Sequence, residues 1–221
     1  MFRIIKKYAG FFIPYLVFLV FGAYFLLSFN RIDTHIICNQ FVQEKLNPFF
    51  IYSTYLGDGN AILIVAIALL FFSFKHAIYV GMAGAFSGSI TGLLKNYAFD
   101  DVHRPHYMFK FFVDRYDLNL VLPPAEMHIH NSFPSGHTTG AFCLMVALML
   151  VLNKPKLAIL FFLVALIGGL SRVYLSQHFF VDIYFGSMVG TFGALTIWKL
   201  FAFLDSKYSV TWWNKSLIKF K

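Results

Sequence analysis

His178 and Asp182 stand four residues apart in the stretch "SRVYLSQHFFVD" (171–182). On a helix that spacing puts both side chains on one face, one turn from each other. A carboxylate so placed accepts the proton of one imidazole nitrogen, fixes the tautomer and leaves the other nitrogen as a free lone pair. A histidine held this way can be a base or itself a nucleophile, although the same pair would also serve as a structural ion pair tying two helix ends. A second polar stretch, "NSFPSGHTTG" (131–140), interrupts an otherwise apolar run. Pro134 suits the first turn of a helix, where its missing N–H is not needed. Ser135 and Gly136 then offer backbone N–H groups at the positive end of the helix dipole, which is an anion site. Gly136 lets a ligand come close, and His137 is expected to face the same anion; an ordinary helix start is the plainer alternative. Lys95, Arg104 and Arg172 add three cations. Arginine supplies a planar fork for two oxygens and lysine a point charge, a set suited to a tetrahedral phosphate. Taken one at a time, each cation would also fit snorkelling to lipid headgroups. That reading suits Lys45 and Lys110 better than Arg172, which precedes the His/Asp pair.

The elements that must position these residues are membrane helices. The chain has 221 residues, of which 59% are hydrophobic and only 13% charged, with Phe occurring 29 times. A soluble domain of that size needs more charge to cover its surface. At roughly 20 residues per crossing, the apolar runs predict an all-α polytopic bundle of six transmembrane helices, over 11–29, 58–74, 77–95, 135–152, 157–174 and 180–203. Residues 96–134 form the one long loop, and 1–221 read as a single domain. The first run follows Arg3, Lys6 and Lys7, as a signal peptide would, but it is longer than a signal core and no small-residue cleavage site follows it.

Six spans put both termini on one side. Arg3, Lys6, Lys7, Lys75, Lys154, Lys156, Lys199, Lys207, Lys215, Lys219 and Lys221 fall on that side. Arg31, Lys45, Lys95, Arg104, Lys110, Arg115 and Arg172 fall on the other, together with every acidic residue except Asp205. The basic side is the cytoplasmic one. The net charge of +8 is therefore a topology signal and does not argue for nucleic acid as a partner. The tail "WWNKSLIKFK" (212–221) fits an interfacial anchor, with aromatics at headgroup level and lysines toward anionic lipid. Cys38 and Cys143 lie in different environments, so neither a disulfide nor a metal-binding cysteine pair is expected.

Lys95 with Arg104–Pro105, then Pro134–Ser135–Gly136–His137, then Ser171–Arg172, His178 and Asp182 resemble the three signature motifs of the type 2 phosphatidic acid phosphatase (lipid phosphate phosphatase) superfamily. The second and third match with their spacing. The first departs, with eight residues between lysine and arginine where the family usually has six. The motifs cover residues 95–182, and the helix pattern extends the likeness over the whole chain.

The resemblance implies that His178 attacks phosphorus in line, that Asp182 holds its ring, and that His137 protonates the leaving alkoxide and then activates water. It also implies that Lys95, Arg104, Ser135, Gly136 and Arg172 bind the phosphoryl oxygens. No cofactor and no metal are implied, since the cations take a metal's place. The expected partner is a phosphorylated membrane lipid in the bilayer of a bacterial inner membrane, with the site facing the periplasm or exterior. Undecaprenyl diphosphate, phosphatidylglycerol phosphate, phosphatidic acid and lipid A phosphates are all compatible, and the sequence sets no oligomeric state.

Three other functions compete with a phosphatase. A phosphotransferase would use the same site with a lipid hydroxyl in place of water. An anion or lipid transporter would be expected to carry inverted repeats and broken helices in both halves, and neither is visible. The vanadate-dependent haloperoxidases share the residue constellation, but those relatives are soluble. His128 and His130, in "EMHIHN", form an H-x-H that lacks further ligands at metal spacing. His103 and His106 flank Arg104, and Phe109, Phe111 and Phe112 are expected to guide a lipid toward the site.

Overall fold

The computed structural model describes residues 1–113, 116–208 and 215–218. Among these it is helical without strands, in the order α1 (Phe2–Lys7), α2 (Ala9–Ser28), α3 (Arg31–Asn39), α4 (Asn47–Ser53), α5 (Gly59–Leu70), α6 (Phe74–Leu93), α7 (Pro105–Phe112), α8 (Gly136–Leu152), α9 (Ala158–Tyr174) and α10 (Phe180–Lys207). Arg115 and residues 212–214 and 219–221 of the expected tail anchor lie outside the described residues.

The molecule is an all-α membrane helix bundle. Among the described residues, four stretches are long and apolar enough to cross a bilayer: Ala9–Ser28, Phe74–Ala98, Pro155–Tyr174 and Phe180–Lys207. Glu44–Gly57 with Gly59–Leu70 adds a fifth if that pair, bent by 59°, is one span. The sequence predicts six. The difference lies in α5 and α8, which are apolar but have 12 and 17 residues, or about 18 and 26 Å of helix against a hydrocarbon core of about 30 Å.

α8 is the axis of the bundle, with twelve of its 17 residues buried. It runs parallel to α10 and antiparallel to α6 and α9, and glycines set the spacing. A Cβ on Gly190 of α10 would lie 2.2 Å from the Thr139 carbonyl oxygen, and one on Gly186 would lie 2.7 Å from that of Ser135. On the opposite side a Cβ on Gly140 would lie 2.3 Å from the carbonyl oxygen of Gly57, which ends the short 3₁₀ turn before α5. Close backbone approach through small residues is how helices gain contact where the solvent is itself apolar. Around the lower half of α8 the core is aromatic and aliphatic, with Phe11, Tyr79, Phe142, Val146 and Met149 almost fully buried.

One end of the bundle carries Lys7, Lys75 and Lys215. Asn153, in the left-handed conformation that stops α8, accepts hydrogen bonds from Lys7 Nζ (2.5 Å) and the Tyr8 hydroxyl (3.1 Å). Lys75 pairs with Asp205, and the described piece of the tail pairs through Lys215 and Leu217 with Phe74 and Leu70 at the α5–α6 turn. The opposite end holds the three motifs.

Candidate active site

α8 begins one residue later than the sequence suggests. Ser135 is its N-cap, with extended backbone (φ −69°, ψ 115°), and Gly136 is the first helical residue. Pro134 therefore precedes the cap instead of opening the helix, because serine satisfies the first-turn amides and proline cannot. The Ser135 hydroxyl accepts from the Thr138 N–H (3.3 Å) and the Thr138 hydroxyl (3.0 Å). The Gly136 and His137 amides lie in the first turn, where no intrahelical acceptor exists. The Ser135 N–H donates to the Asp182 carbonyl at 3.0 Å, which joins the second motif to the third.

Asp182 is the third residue of α10. Its Oδ2 accepts the Phe179 N–H (2.9 Å), one half of a capping box. The same oxygen faces His178 Nδ1 at 3.3 Å and accepts the Ser132 hydroxyl at 2.5 Å. An ionised carboxylate can only accept, so Nδ1 carries the proton and Nε2 keeps its lone pair. His178 and Asp182 are each about 1% exposed and Ser132 fully buried. The backbone around His178 is shaped by Ser176, whose φ is +51°, and by the His178 and Gln177 amides, which both return to the Arg172 carbonyl. Burial, and then the charges of Arg104, Arg172 and Lys95, hold the His178 pKa well below the usual histidine value. The ring is thus neutral at physiological pH.

The cations reach this pocket from three elements. Lys95 sits in a π-helical turn, Leu94–Ala98, that extends α6, and its Nζ donates to the Asn131 carbonyl at 2.7 Å. Arg104 is the N-cap of α7. Its Nε donates to the His130 carbonyl (3.0 Å), and one terminal nitrogen donates to the Gln177 carbonyl (3.3 Å) and side chain (3.2 Å). Burial draws its pKa down to about 10, partly opposed by Asp182. The eight-residue gap between Lys95 and Arg104 is taken up by the wide turn and the bend at Phe99, and both charges still act on His178. Arg172, in the last turn of α9, donates to the Thr54 hydroxyl at 2.5 Å. Among the described residues its buried Nε has no hydrogen-bond partner, nor does Asp182 Oδ1. His137, half-buried in the first turn of α8, also acts on the His178 ring, and its carbonyl oxygen would lie 2.0 Å from a Cβ on Gly57.

All eight residues singled out from the sequence lie at this end of the bundle. Three others were not foreseen. Ser132 had a visible signal, lying in the same "NSFPSGH" run. Gln177 adjoins His178 but carries no signature of its own, and Thr54 comes from a distant turn with none. Other expectations fall differently. Phe109 does not face lipid: it is 6% exposed and packs on His35 and Tyr116, whereas Phe111 and Phe112 are exposed. Among the described residues no group of three or more His, Cys, Asp or Glu side chains gathers as a metal site. His130 packs edge-on against His103, with ring centroids 4.7 Å apart.

Known proteins share this architecture. The crystal structure of Aquifex aeolicus LpxE aligns with a TM-score of 0.65 at 25% identity, over 76% of this chain and 93% of that one. That of the first transmembrane PAP2 type phosphatidylglycerolphosphate phosphatase from Bacillus subtilis aligns at 0.63 with 20% identity, over 90% and 98%, a likeness of fold. In sequence, the undecaprenyl-diphosphatase BcrC of Bacillus subtilis (strain 168) is 33% identical over 118 residues. The match spans about half the length of that relative, 52% of each chain. The profile of the PAP2 superfamily matches residues 74–205, which include all three motifs and the helices α6, α8 and α9 that carry or adjoin them; the chain belongs to the PAP2 superfamily.

Proposed function

We propose that this protein is a metal-independent phosphatase that releases phosphate from a membrane lipid phosphate or diphosphate through a phosphohistidine on His178. Nε2 of His178 attacks phosphorus in line, and the bond to the leaving oxygen breaks as His137 delivers a proton to it. His137 then takes a proton from water, whose oxygen attacks the phosphohistidine, freeing phosphate and restoring His178. Asp182 stabilises the imidazolium that develops in each half, and Ser132 positions Asp182. Lys95, Arg104, Arg172, Ser135 and the Gly136 amide take the equatorial oxygens, where preorganised charge contributes most to rate. A phosphoryl oxygen would satisfy the Nε of Arg172, which has no partner among the described residues.

The observation that carries this reading is the single oxygen of Asp182 that fixes the His178 tautomer inside a pocket of three cations. BcrC, by its name, acts on undecaprenyl diphosphate, which supports a lipid diphosphate as one substrate here. In the same proposal residues 1–221 form one membrane domain of six spans, with α5 and the turn before it as the second and α8 as the fourth. The lysine-rich end faces the cytoplasm and the site faces the periplasm or exterior, in accord with the bias of basic residues.

The test is phosphate release from a panel of lipid phosphates and diphosphates, by protein purified in detergent with chelator present. His178→Ala is expected to lose nearly all turnover. Retained turnover in that variant would remove the assigned nucleophile, and strict metal dependence would return attention to His128 and His130.

A further inference from the structure

The buried side chains of α3 are Thr34, His35 and Asn39, all polar and almost fully enclosed. A helix that only had to pack would bury apolar side chains there, since a buried polar group costs stability unless it is paired. His35 and Asn39 are four residues apart and share one face, and both reach the same atom. His35 Nε2 lies 3.2 Å from Ser176 Oγ, and Asn39 Nδ2 donates to that oxygen at 3.5 Å. Ser176 is itself fully buried and has a φ of +51°. Glycine takes that conformation freely, and a residue with a Cβ takes it at a cost. Backbone geometry alone would therefore favour glycine at 176. What serine adds is the hydroxyl, and the partners of that hydroxyl are on α3.

The contact lies beside the proposed nucleophile. Ser176 stands two residues before His178, in the turn whose amides return to the Arg172 carbonyl. Phe179 directly follows His178. Its ring meets the His35 ring edge-on, with centroids 5.4 Å apart, and its N–H donates to Asp182 Oδ2. His35 thus grips the chain on both sides of His178. The same imidazole packs on Phe109, with centroids 5.6 Å apart, in α7, the helix that Arg104 caps. Asn39 extends the link to the loop after α7, accepting the Asn119 N–H at 2.9 Å and donating to the Asn119 carbonyl at 3.2 Å. α3 lies outside residues 74–205, which match the family profile, and none of the three motifs reaches it.

We propose that His35 is a positioning residue for the phosphatase reaction: through the Ser176 hydroxyl and the Phe179 ring it holds the His178 turn in place relative to the helix that Arg104 caps. The proposal rests on the phosphatase reading above. A misplacement of about 1 Å at a reacting group can cost roughly 100-fold in rate. Loosening this turn removes no group that touches substrate, so kcat should fall and KM should hardly change. Phosphate release in detergent is measured on undecaprenyl diphosphate, phosphatidylglycerol phosphate, phosphatidic acid and a lipid A phosphate, and the variants are compared on the lipid that wild-type protein turns over fastest. Ser176→Gly removes the hydroxyl where the backbone already suits glycine, so a folding defect does not imitate its effect. It is expected to lower kcat about fivefold or more, with KM within about twofold of wild type. His35→Phe keeps a ring against Phe109 and Phe179 but loses the hydrogen bond, and is expected to do the same. Because both act through one contact, the double variant should fall no further than the slower single variant. His35→Gln, whose amide can still meet the Ser176 hydroxyl, should keep kcat within about twofold of wild type. Wild-type kcat in Ser176→Gly, losses that multiply in the double variant, or His35→Gln as slow as His35→Phe would each overturn the proposal. A wild-type protein that releases phosphate from none of the four lipids would refute the phosphatase reading, and this proposal with it.

Discussion

Ser132→Ala tests whether the third partner of Asp182 matters to the chemistry. The Ser132 hydroxyl, fully buried, donates to Oδ2 at 2.5 Å. A hydrogen bond to a charged acceptor contributes about 1.5–3 kcal/mol, equivalent to roughly 10- to 150-fold in rate if the whole of it is lost in the transition state. The Phe179 N–H and the His178 ring remain on the same oxygen, so the lower end, about tenfold in kcat, is the expectation. KM should hardly change, because Ser132 is not assigned any contact with substrate. The pH profile separates positioning from mere packing. With one donor gone, the Asp182 charge acts more fully on the Nδ1 proton, the imidazolium is favoured and the His178 pKa rises. His178 must be neutral to attack, so the acidic limb of kcat/KM moves to higher pH. Turnover equal to wild type, or a fall with the acidic limb unmoved, would refute the reasoning.

Three further outcomes follow from the packing and the site geometry. Gly190→Ala forces a Cβ to within 2.2 Å of the Thr139 carbonyl oxygen and is expected to cost about 1–3 kcal/mol or more, whereas Gly88→Ala meets nothing and should be neutral or stabilising; thermal unfolding in detergent compares them. His35, fully buried in α3, has a pKa lowered to about 3 by burial. The unfolded chain therefore binds a proton below about pH 6.5 that the folded protein refuses, so stability is lost as pH falls, by about 2 kcal/mol at pH 5. His35→Leu should flatten part of that slope in unfolding measured across pH, His178 contributing in the same direction. Asp182→Asn keeps the backbone link to Ser135 but removes the carboxylate, and the phosphatase assay should record a loss in kcat with the fold intact by circular dichroism.

The site was legible in the sequence because its chemistry is carried by short motifs: an i, i+4 pair, a helix start and cations beside them. The main elements were legible because apolar runs mark membrane helices whatever they pack against. What the sequence could not give is set by contacts between distant segments. Nothing local marks Thr54 as the partner of Arg172 or His35 as a buttress beneath Ser176, which it contacts at 3.2 Å. Phe109 reads as a lipid-facing aromatic until the loop folds back and buries it. The length of α5 also escapes composition: the 3₁₀ turn ending at Gly57 belongs to the apolar pattern, but it must bend so that Gly57 can lie against α8.

The positions of the glycines explain how a site of this precision is held in a bundle with little hydrophobic driving force between helices. Gly186 and Gly190 bring α10 against α8, and that contact delivers the first turn of one helix to the first turn of the other. Asp182 then locks them, with its backbone oxygen on Ser135 and its side chain on His178, Ser132 and Phe179. The histidine expected to attack and the helix terminus expected to hold the phosphate are therefore referred to one residue, and a shift of either helix moves both together.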